Sequence, residues 1–366
     1  MASDATALPP LHELDPDKLL RAPASTSVYG GRMYRGADRY ERKFDEASHA
    51  EGFASLLWED DGAPDFGGFV WCDPEFGPFD LHAGLTHDGF GNLEYQVYMR
   101  EMVQRDEGMR TLTIRFDRLT PEERAEILEL CSAHGIGWDG WAYKSGKIVH
   151  SGIGGTPRGG MGEGFALGEL EVDCENPGNL PFGTWPAIWM LGRGPWPTAG
   201  EIDLMEKLPM DPERQLSWAV HYGPSPDQRQ YVVHHRSSSG LGPNTRHRLV
   251  VRRVAPNVTR LDMYVTPIGY SRSKQAWVET GEAQFMRTVD LSKFVDRDGV
   301  VRNVSGIFEG PFDIILNVAV GGHAMCTTVR GTKLCSDPAI FDPGRLLPGF
   351  PGEWKIYDIR YRQSMR

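Results

Sequence analysis

Residues 200–206, Gly-Glu-Ile-Asp-Leu-Met-Glu, place three carboxylates within an otherwise apolar stretch. This segment restricts the fold more than any other, because a buried acid is costly unless it is paired or put to use. In an extended strand side chains alternate between faces, so Glu201 and Asp203 point one way and Glu206 points the other. A β-bulge repairs the parity. If Leu204 and Met205 together oppose one partner residue, all three acids reach one face and the apolar side chains reach a core on the other. The plainer reading is a solvated edge strand whose acids discourage aggregation.

The flanks favour the first reading. Gly183-Thr-Trp-Pro-Ala-Ile-Trp-Met-Leu191 lies just upstream, and Trp196-Pro197 directly precedes the acids. Acids set among indoles suit a glycan site, since flat rings cover the C–H faces of sugars while polar groups fix the hydroxyls. With the bulge, Glu201 and Glu206 stand about four strand steps apart, roughly 13 Å between Cα atoms at ~3.3 Å per step. Side chains leaning together close much of that distance. A carboxyl gap near ~5.5 Å suits a nucleophile with an acid/base partner in retaining glycoside hydrolysis, and ~6.5 to 9.5 Å leaves room for the water of an inverting enzyme.

Composition narrows the alternatives. The 366 residues are 40% hydrophobic, enough for one large domain or two ordinary ones. Net charge is 39 minus 50, or −11, with no basic run, so nucleic acid and anionic membranes are not expected partners. No stretch reaches the ~18 apolar residues of a membrane span, and the first thirty residues show no basic start and apolar run of a signal peptide. The cysteines at 72, 131, 174, 326 and 335 form no CxxC pair, which argues against structural zinc. Cys326 and Cys335 could staple a loop, and five buried thiols fit equally well. Asn257-Val-Thr259 and Asn303-Val-Ser305 are glycosylation sequons only if the chain meets the secretory pathway.

With 43 glycines and 26 prolines between short apolar runs, the chain reads as all-β and mostly antiparallel. Strands are expected near 40–45, 67–72, 92–103, 110–116, 146–150, 165–174, 184–191, 200–206, 216–222, 229–235, 246–254, 259–265, 312–319 and 353–362. These are too many for one flat sheet, so two packed antiparallel sheets, a β-jelly-roll sandwich, are expected. Residues 1–38 read as an N-terminal extension and 39–366 as a single domain. Thr120-Pro121 with Glu123 forms a capping box and Gly135 a stop, which predicts a helix of about three turns inside an insertion over about 105–145. Trp138 and Trp141 beside it either fasten the helix down or line a cleft rim.

At this point the residues resemble a family. Glu201-Ile-Asp-Leu-Met-Glu206 is similar to the signature of glycoside hydrolase family 16, in the bulged form of its laminarinase-like, endo-β-1,3-glucanase branch. Gly183–Gly192, Asn92-Leu-Glu-Tyr-Gln-Val-Tyr98, His221-Tyr-Gly223, Ile315-Leu-Asn-Val-Ala-Val-Gly-Gly322 and Trp354–Tyr361 resemble further motifs in the family's order. The resemblance implies a concave sheet forming a polysaccharide cleft and retaining hydrolysis of a β-linked polymer, β-1,3-glucan first. It makes Glu201 the nucleophile, Glu206 the acid/base and Asp203 the carboxylate that orients one and raises the pKa of the other. It places Trp189 and Trp196 near the cleavage point, His221 near the subsite before the cut, and Asn92 and Asn317 on sugar. Trp185 shares a face with Trp189 and is either a platform or core. The implied partner is a neutral polysaccharide, the expected state a monomer, and the implied location extracellular, although no signal peptide is legible.

Departures qualify this. In Gly168-Glu-Leu-Glu-Val-Asp173, Asp173 replaces an arginine that contacts sugar in many members, which puts the donor side of the cleft in question. His323-Ala-Met-Cys326 stands where a tryptophan often follows Gly321-Gly322. The aspartate that helps hold a structural calcium is matched by Tyr357, with Asp358 one place out of register, so no metal or other cofactor is expected to be required and a structural calcium is doubtful. Two alternatives stay open. One is a hydrolase or transglycosylase acting on β-1,3/1,4-glucan or, with Arg158, Arg193 and Arg330 available, an algal galactan. The other is a non-catalytic carbohydrate-binding protein on the same fold.

Overall fold

The computed structural model describes residues 94–363 except 107, 134–139, 151–167, 193, 195, 209–214, 224–229, 296–298, 310–311, 322–325, 330–331 and 336–349, with short strands upstream at 54–55, 69–71 and 79–80. The expected extension at 1–38, the strand near 40–45, and Asn92, Trp138, Arg158, Arg193, His323 and Arg330 lie outside the described residues. The chain forms two large sheets. We label the strands of the first in chain order: β1 (Phe69–Trp71), β2 (Lys147–His150), β3 (Thr184–Gly192), β4 (Glu201–Glu206), β5 (Gln215–Tyr222), β6 (Gln230–Ser237) and β7 (Phe312–Val320). Their spatial order is β6-β5-β4-β3-β7-β2-β1, all antiparallel.

The second sheet has twelve strands, with Gly168–Glu175 at its centre between Asn244–Ala255 and Gly352–Gln363. Among the described residues its one parallel pair joins Gln96–Met99 to Tyr143–Ser145. Alternation explains the layering. Leu170, Val172 and Cys174 are buried in the core between the sheets, with Leu249, Val251, Trp354 and Ile356 from the neighbouring strands and Ile188, Met190, Ile202, Ile314 and Leu316 from the first sheet. Strand β7 is buried along its whole length, as a central strand covered on both faces must be.

The sequence expectation for helix α1 (Pro121–Ala133) holds down to its cap. Thr120 N–H donates to Glu123 Oε2 at 2.8 Å and Glu123 N–H to Thr120 Oγ1 at 3.2 Å, the reciprocal pair of a capping box. For Trp141 the choice falls on fastening the helix, because it is wholly buried and its carbonyl accepts from Arg124 of the helix at 2.9 Å. The stretch read as an insertion also contains two strands of the second sheet, Thr111–Arg118 and Tyr143–Ser145, so the excursion proper runs between them. Strands at Ala276–Glu279 and Gln284–Asp290 escaped the sequence reading. In the latter a bulge opposite Met263 and Tyr264 spaces the buried Met286 and Val289 three apart, which hides the two-residue period.

The structure corrects one inference outright. Asp173 lies in the second sheet with its side chain on the outer face, where Arg246 clasps it through Nε at 2.7 Å and Nη2 at 3.0 Å and Arg360 donates at 2.9 Å. It therefore says nothing about the donor side of a cleft on the first sheet. Asp358 accepts from Ile359 N–H and from Arg360, and the Tyr357 ring stacks on Trp277 at 3.8 Å. Cys131 and Cys174 are buried free thiols, and Cys326 stands opposite Cys335 in the backbone register of a small two-stranded ribbon.

Candidate active site

The bulge expected from the acid triplet is present. On β5, Ala219 faces Asp203 and Ser217 faces Glu206, so Leu204 and Met205 share the space of the single residue Trp218. Both are fully buried. On the β3 side Asp203 pairs with Trp189 and Met205 with Ile188, with the extra residue between them. All three carboxyls consequently leave the core face and line the opposite face of the first sheet. Register rows across that face run Asp313, Leu191, Glu201, His221, then Ile315, Trp189, Asp203, Ala219, then Lys147, Asn317, Ala187, Glu206, Ser217.

The site is tightly bonded. His221 Nε2 meets Asp203 Oδ2 at 2.9 Å, and one ligand-type atom from each of Glu201, Asp203 and His221 falls within 4.8 Å of the others. Within this compact group His221 is engaged with Asp203 and Glu201 with Trp196. Trp196 Nε1–H donates to Glu201 Oε2, and Trp185 Nε1–H donates to Glu206 Oε1 at 2.9 Å. Trp189 Nε1–H donates to Asn317 Oδ1 at 2.7 Å, and Asn317 Nδ2 donates to Tyr98 Oη at 2.9 Å. Lys147 Nζ lies 5.2 Å from the centre of the Tyr98 ring, within cation–π range.

Two glycines close the loop that carries Trp196. Gly192 N–H bonds to Gly200 carbonyl at 3.0 Å, and a Cβ on Gly192 would lie 1.9 Å from the Ala199 oxygen. Gly200 itself sits at φ 82°, in the left-handed region. The loop folds Trp196 back onto a small apolar cluster on the cleft face, made by Leu191 and Ile315 with Trp189. This cluster is separate from the main core.

Electrostatics separate the acids from ordinary carboxylates. Burial, followed by the charge of Asp203, pushes Glu201 up to about 7, against the opposing pull of His221 and the Trp196 bond. Burial, then Asp203, also holds Glu206 well above the usual carboxylate range, while His221 and the Trp185 bond pull it down and Glu201 adds to the rise. Three close carboxyls that raise one another cannot all stay charged. The arrangement can keep one protonated as an acid beside one that ionises readily.

Of the residues expected to form the site, Glu201, Asp203, Glu206, Trp185, Trp189, Trp196, His221 and Asn317 converge on one face, and Asn92 lies outside the described residues. Asn317, 7% exposed, accepts from Trp189 through its carbonyl and donates from its amide to Tyr98, which ties the Trp189 indole to the sheet. Tyr98 and Lys147 were missed as site residues. Tyr98 stood in the quoted 92–98 motif, but nothing local signals a partner 219 positions away.

Comparison with known proteins agrees with this geometry. Residues 174–246, which hold Trp185 through His221, match the family model for the XgeA-like, catalytic GH16 domain. A beta-glucanase of Rhodothermus marinus is 28% identical over 302 residues, 81% of this chain and 83% of that protein. A beta-1,3-glucan-binding protein of Penaeus monodon is 28% identical over 264 residues, 65% of this chain and 69% of that one. Among solved structures, SCLam, a non-specific endo-beta-1,3(4)-glucanase from family GH16, superposes with a TM-score of 0.50 at 21% identity, covering 85% of this chain and 91% of that one. At that identity the likeness speaks for the jelly-roll fold.

Proposed function

We propose, from the premise that this chain is a glycoside hydrolase family 16 protein of the endo-β-1,3-glucanase-like kind, that it cleaves a β-1,3-linked glucan internally and with retention. The observation that carries the reading is the bulge of β4, which turns Glu201, Asp203 and Glu206 onto one face and gives each glutamate its own indole donor. The tryptophan-lined cleft and the similarity to a beta-glucanase and to a beta-1,3-glucan-binding protein support the polymer class.

The chemistry follows from protonation. Glu206, held above the usual range, carries the proton that the glycosidic oxygen needs as it leaves, while the Glu201 carboxylate attacks the anomeric carbon and forms a glycosyl ester. Esterification removes the Glu201 charge, one of the causes that raises Glu206, so after giving its proton to the leaving group Glu206 stays ionised and free to take one from water. That water attacks the same carbon from the opposite face, and the ester bond breaks to regenerate Glu201. Asp203, bonded to His221, stays between the two acids and keeps them from ionising together.

The test is reducing-end release from laminarin by the protein and by Glu201→Ala, with the anomer of the first product read by NMR. Activity that disappears in the variant, with a product of retained configuration, is expected. Equal release by both proteins, or an inverted first product, would overturn the reading. Glucan binding without turnover would favour the second reading, a binding protein, which the similarity to the Penaeus monodon protein keeps in view.

A further inference from the structure

The three cleft tryptophans are natural candidates for sugar platforms, yet two of them bond directly to the glutamates through their indole N–H groups. We infer that Trp185 and Trp196 are positioning residues for the reaction, with the Trp185 N–H orienting Glu206 and tuning its proton affinity and the Trp196 N–H doing the same for Glu201. The inference deepens the proposed function and rests on the roles given there to Glu201 and Glu206.

Placement supports it. On β3, Ala187 stands opposite Glu206, and Trp185 is the diagonal neighbour two residues away, close enough for an indole to lean across a side chain as small as alanine. Trp196 comes from the opposite direction. Its loop is pinned by the Gly192 to Gly200 and Gly200 to Pro197 backbone bonds, and its ring packs among Leu191, Ile315 and Trp189. Neither donor depends on a flexible chain end, so the carboxylate oxygens meet N–H groups already fixed in place. Each indole is half-buried, leaving part of the ring surface for sugar.

An N–H···carboxylate bond is charge-assisted and favours the ionised form. Around Glu201 the other charged or titratable groups are Asp203 and Glu206 on its own strand, His221 from β5 and Asp313 from β7 in its register row. Around Glu206 they are Asp203 and Glu201, His221, Lys147 from β2 in its row, His235 from β6 beyond Ser217, and Lys207, whose Nζ is bonded to the carbonyls of Pro181 and Thr184. Strand β3 contributes no charge. Each glutamate thus accepts directly from an indole, and both bonds favour the ionised form: the Trp196 bond helps the nucleophile ionise, and the Trp185 bond limits how tightly the acid/base grips its proton.

Trp196→Phe and Trp185→Phe keep an aromatic face and remove the N–H. Loss of one charge-assisted bond worth ~1.5 kcal/mol corresponds to an upward movement of about one pH unit. In the pH profile of kcat/KM on laminarin, Trp196→Phe is expected to move the acidic limb up and Trp185→Phe the basic limb up, each leaving the other limb in place. The same carboxyls are titrated directly by NMR of protein labelled with [δ-13C]glutamate, which needs no turnover and separates this inference from the proposed function. If laminarin is not cleaved, the function fails; if Glu201 and Glu206 titrate in the variants where they do in the parent, the positioning role fails. Should either phenylalanine variant not fold, β-(benzothien-3-yl)alanine at the same position keeps the bicyclic ring and replaces N–H by sulfur. A rise in KM alone, with both carboxyls titrating unchanged, would leave the tryptophans as platforms and overturn the inference.

Discussion

Two strands of this protein carry alternating or near-alternating acids, three on β4 and four on Gly168–Glu175, and the two clusters meet different partners. On β4, Glu201, Asp203 and Glu206 face a cleft with histidine and indole donors, and the two glutamates hold protons far more tightly than free carboxyls. On the strand Gly168–Glu175, Glu169, Glu171 and Asp173 lie on the outer face of the other sheet, clasped by Arg248, Arg246 and Arg360. An acid cluster in an apolar strand is therefore not by itself a sign of catalysis. What distinguishes the two is the partners that the neighbouring strands and loops supply: guanidiniums clasp the outer acids, whereas indole N–H groups meet the two cleft glutamates.

The comparison can be broken from either side. The largest effect is expected from Arg246→Ala, which removes the bidentate partner of the fully buried Asp173 and should lower unfolding free energy in urea by about 3–5 kcal/mol. A loss below about 1 kcal/mol would mean that Arg360 alone satisfies the carboxylate. Next, Ala219→Arg sets a guanidinium opposite Asp203 and turns the cleft triplet toward the paired kind. Glu206 should then surrender its proton near neutral pH, and kcat/KM on laminarin should fall about 100-fold, roughly 2.7 kcal/mol of barrier. Unchanged activity in the folded variant would sever the link between pairing and protonation.

A smaller effect follows from the raised Glu201. The folded state binds this proton more tightly than the unfolded chain, so ionising the carboxyl costs nothing below its ordinary value of 4.5, costs more as pH climbs to about 7, and costs a constant amount above that. Glu201→Gln should accordingly match the parent in stability at pH 4 and exceed it by about 1–2 kcal/mol at pH 8, allowing for solvent at the cleft. Equal stability at both pH values would contradict the burial argument. The smallest effect is expected from Asn317→Ala, which frees the Trp189 indole and costs about 1 kcal/mol of binding. Laminarin KM should rise several-fold with little change in kcat; a large fall in kcat would mean that Asn317 touches the chemistry.

Much of this was legible before the structure. Thr120, Pro121 and Glu123 specify the start of α1 through local hydrogen bonds, and the parity of Glu201, Asp203 and Glu206 specifies a bulge, because both are settled within a few residues of sequence. The strand Gln284–Asp290 was not legible for the same kind of reason in reverse: its bulge places Phe285 outward at 51% exposure and spaces the buried residues three apart. Asp173 was misread because its partner Arg246 is 73 positions away, and nothing in the local text says which sheet either belongs to.

Local text specified most of the strands, the helix cap, the bulge and the presence of acids among indoles, since these depend on periodicity and on contacts between near neighbours. Tertiary structure decided which acids are neutralised and which stay chemically available. That choice depends on which strands lie side by side, and so on residues such as Trp185 and Glu206, 21 positions apart, or Trp189 and Asn317, 128 apart, that meet only when the sheets form. Charge in a low-dielectric setting is governed by its immediate partners, and in this protein those partners are supplied by pairing across strands.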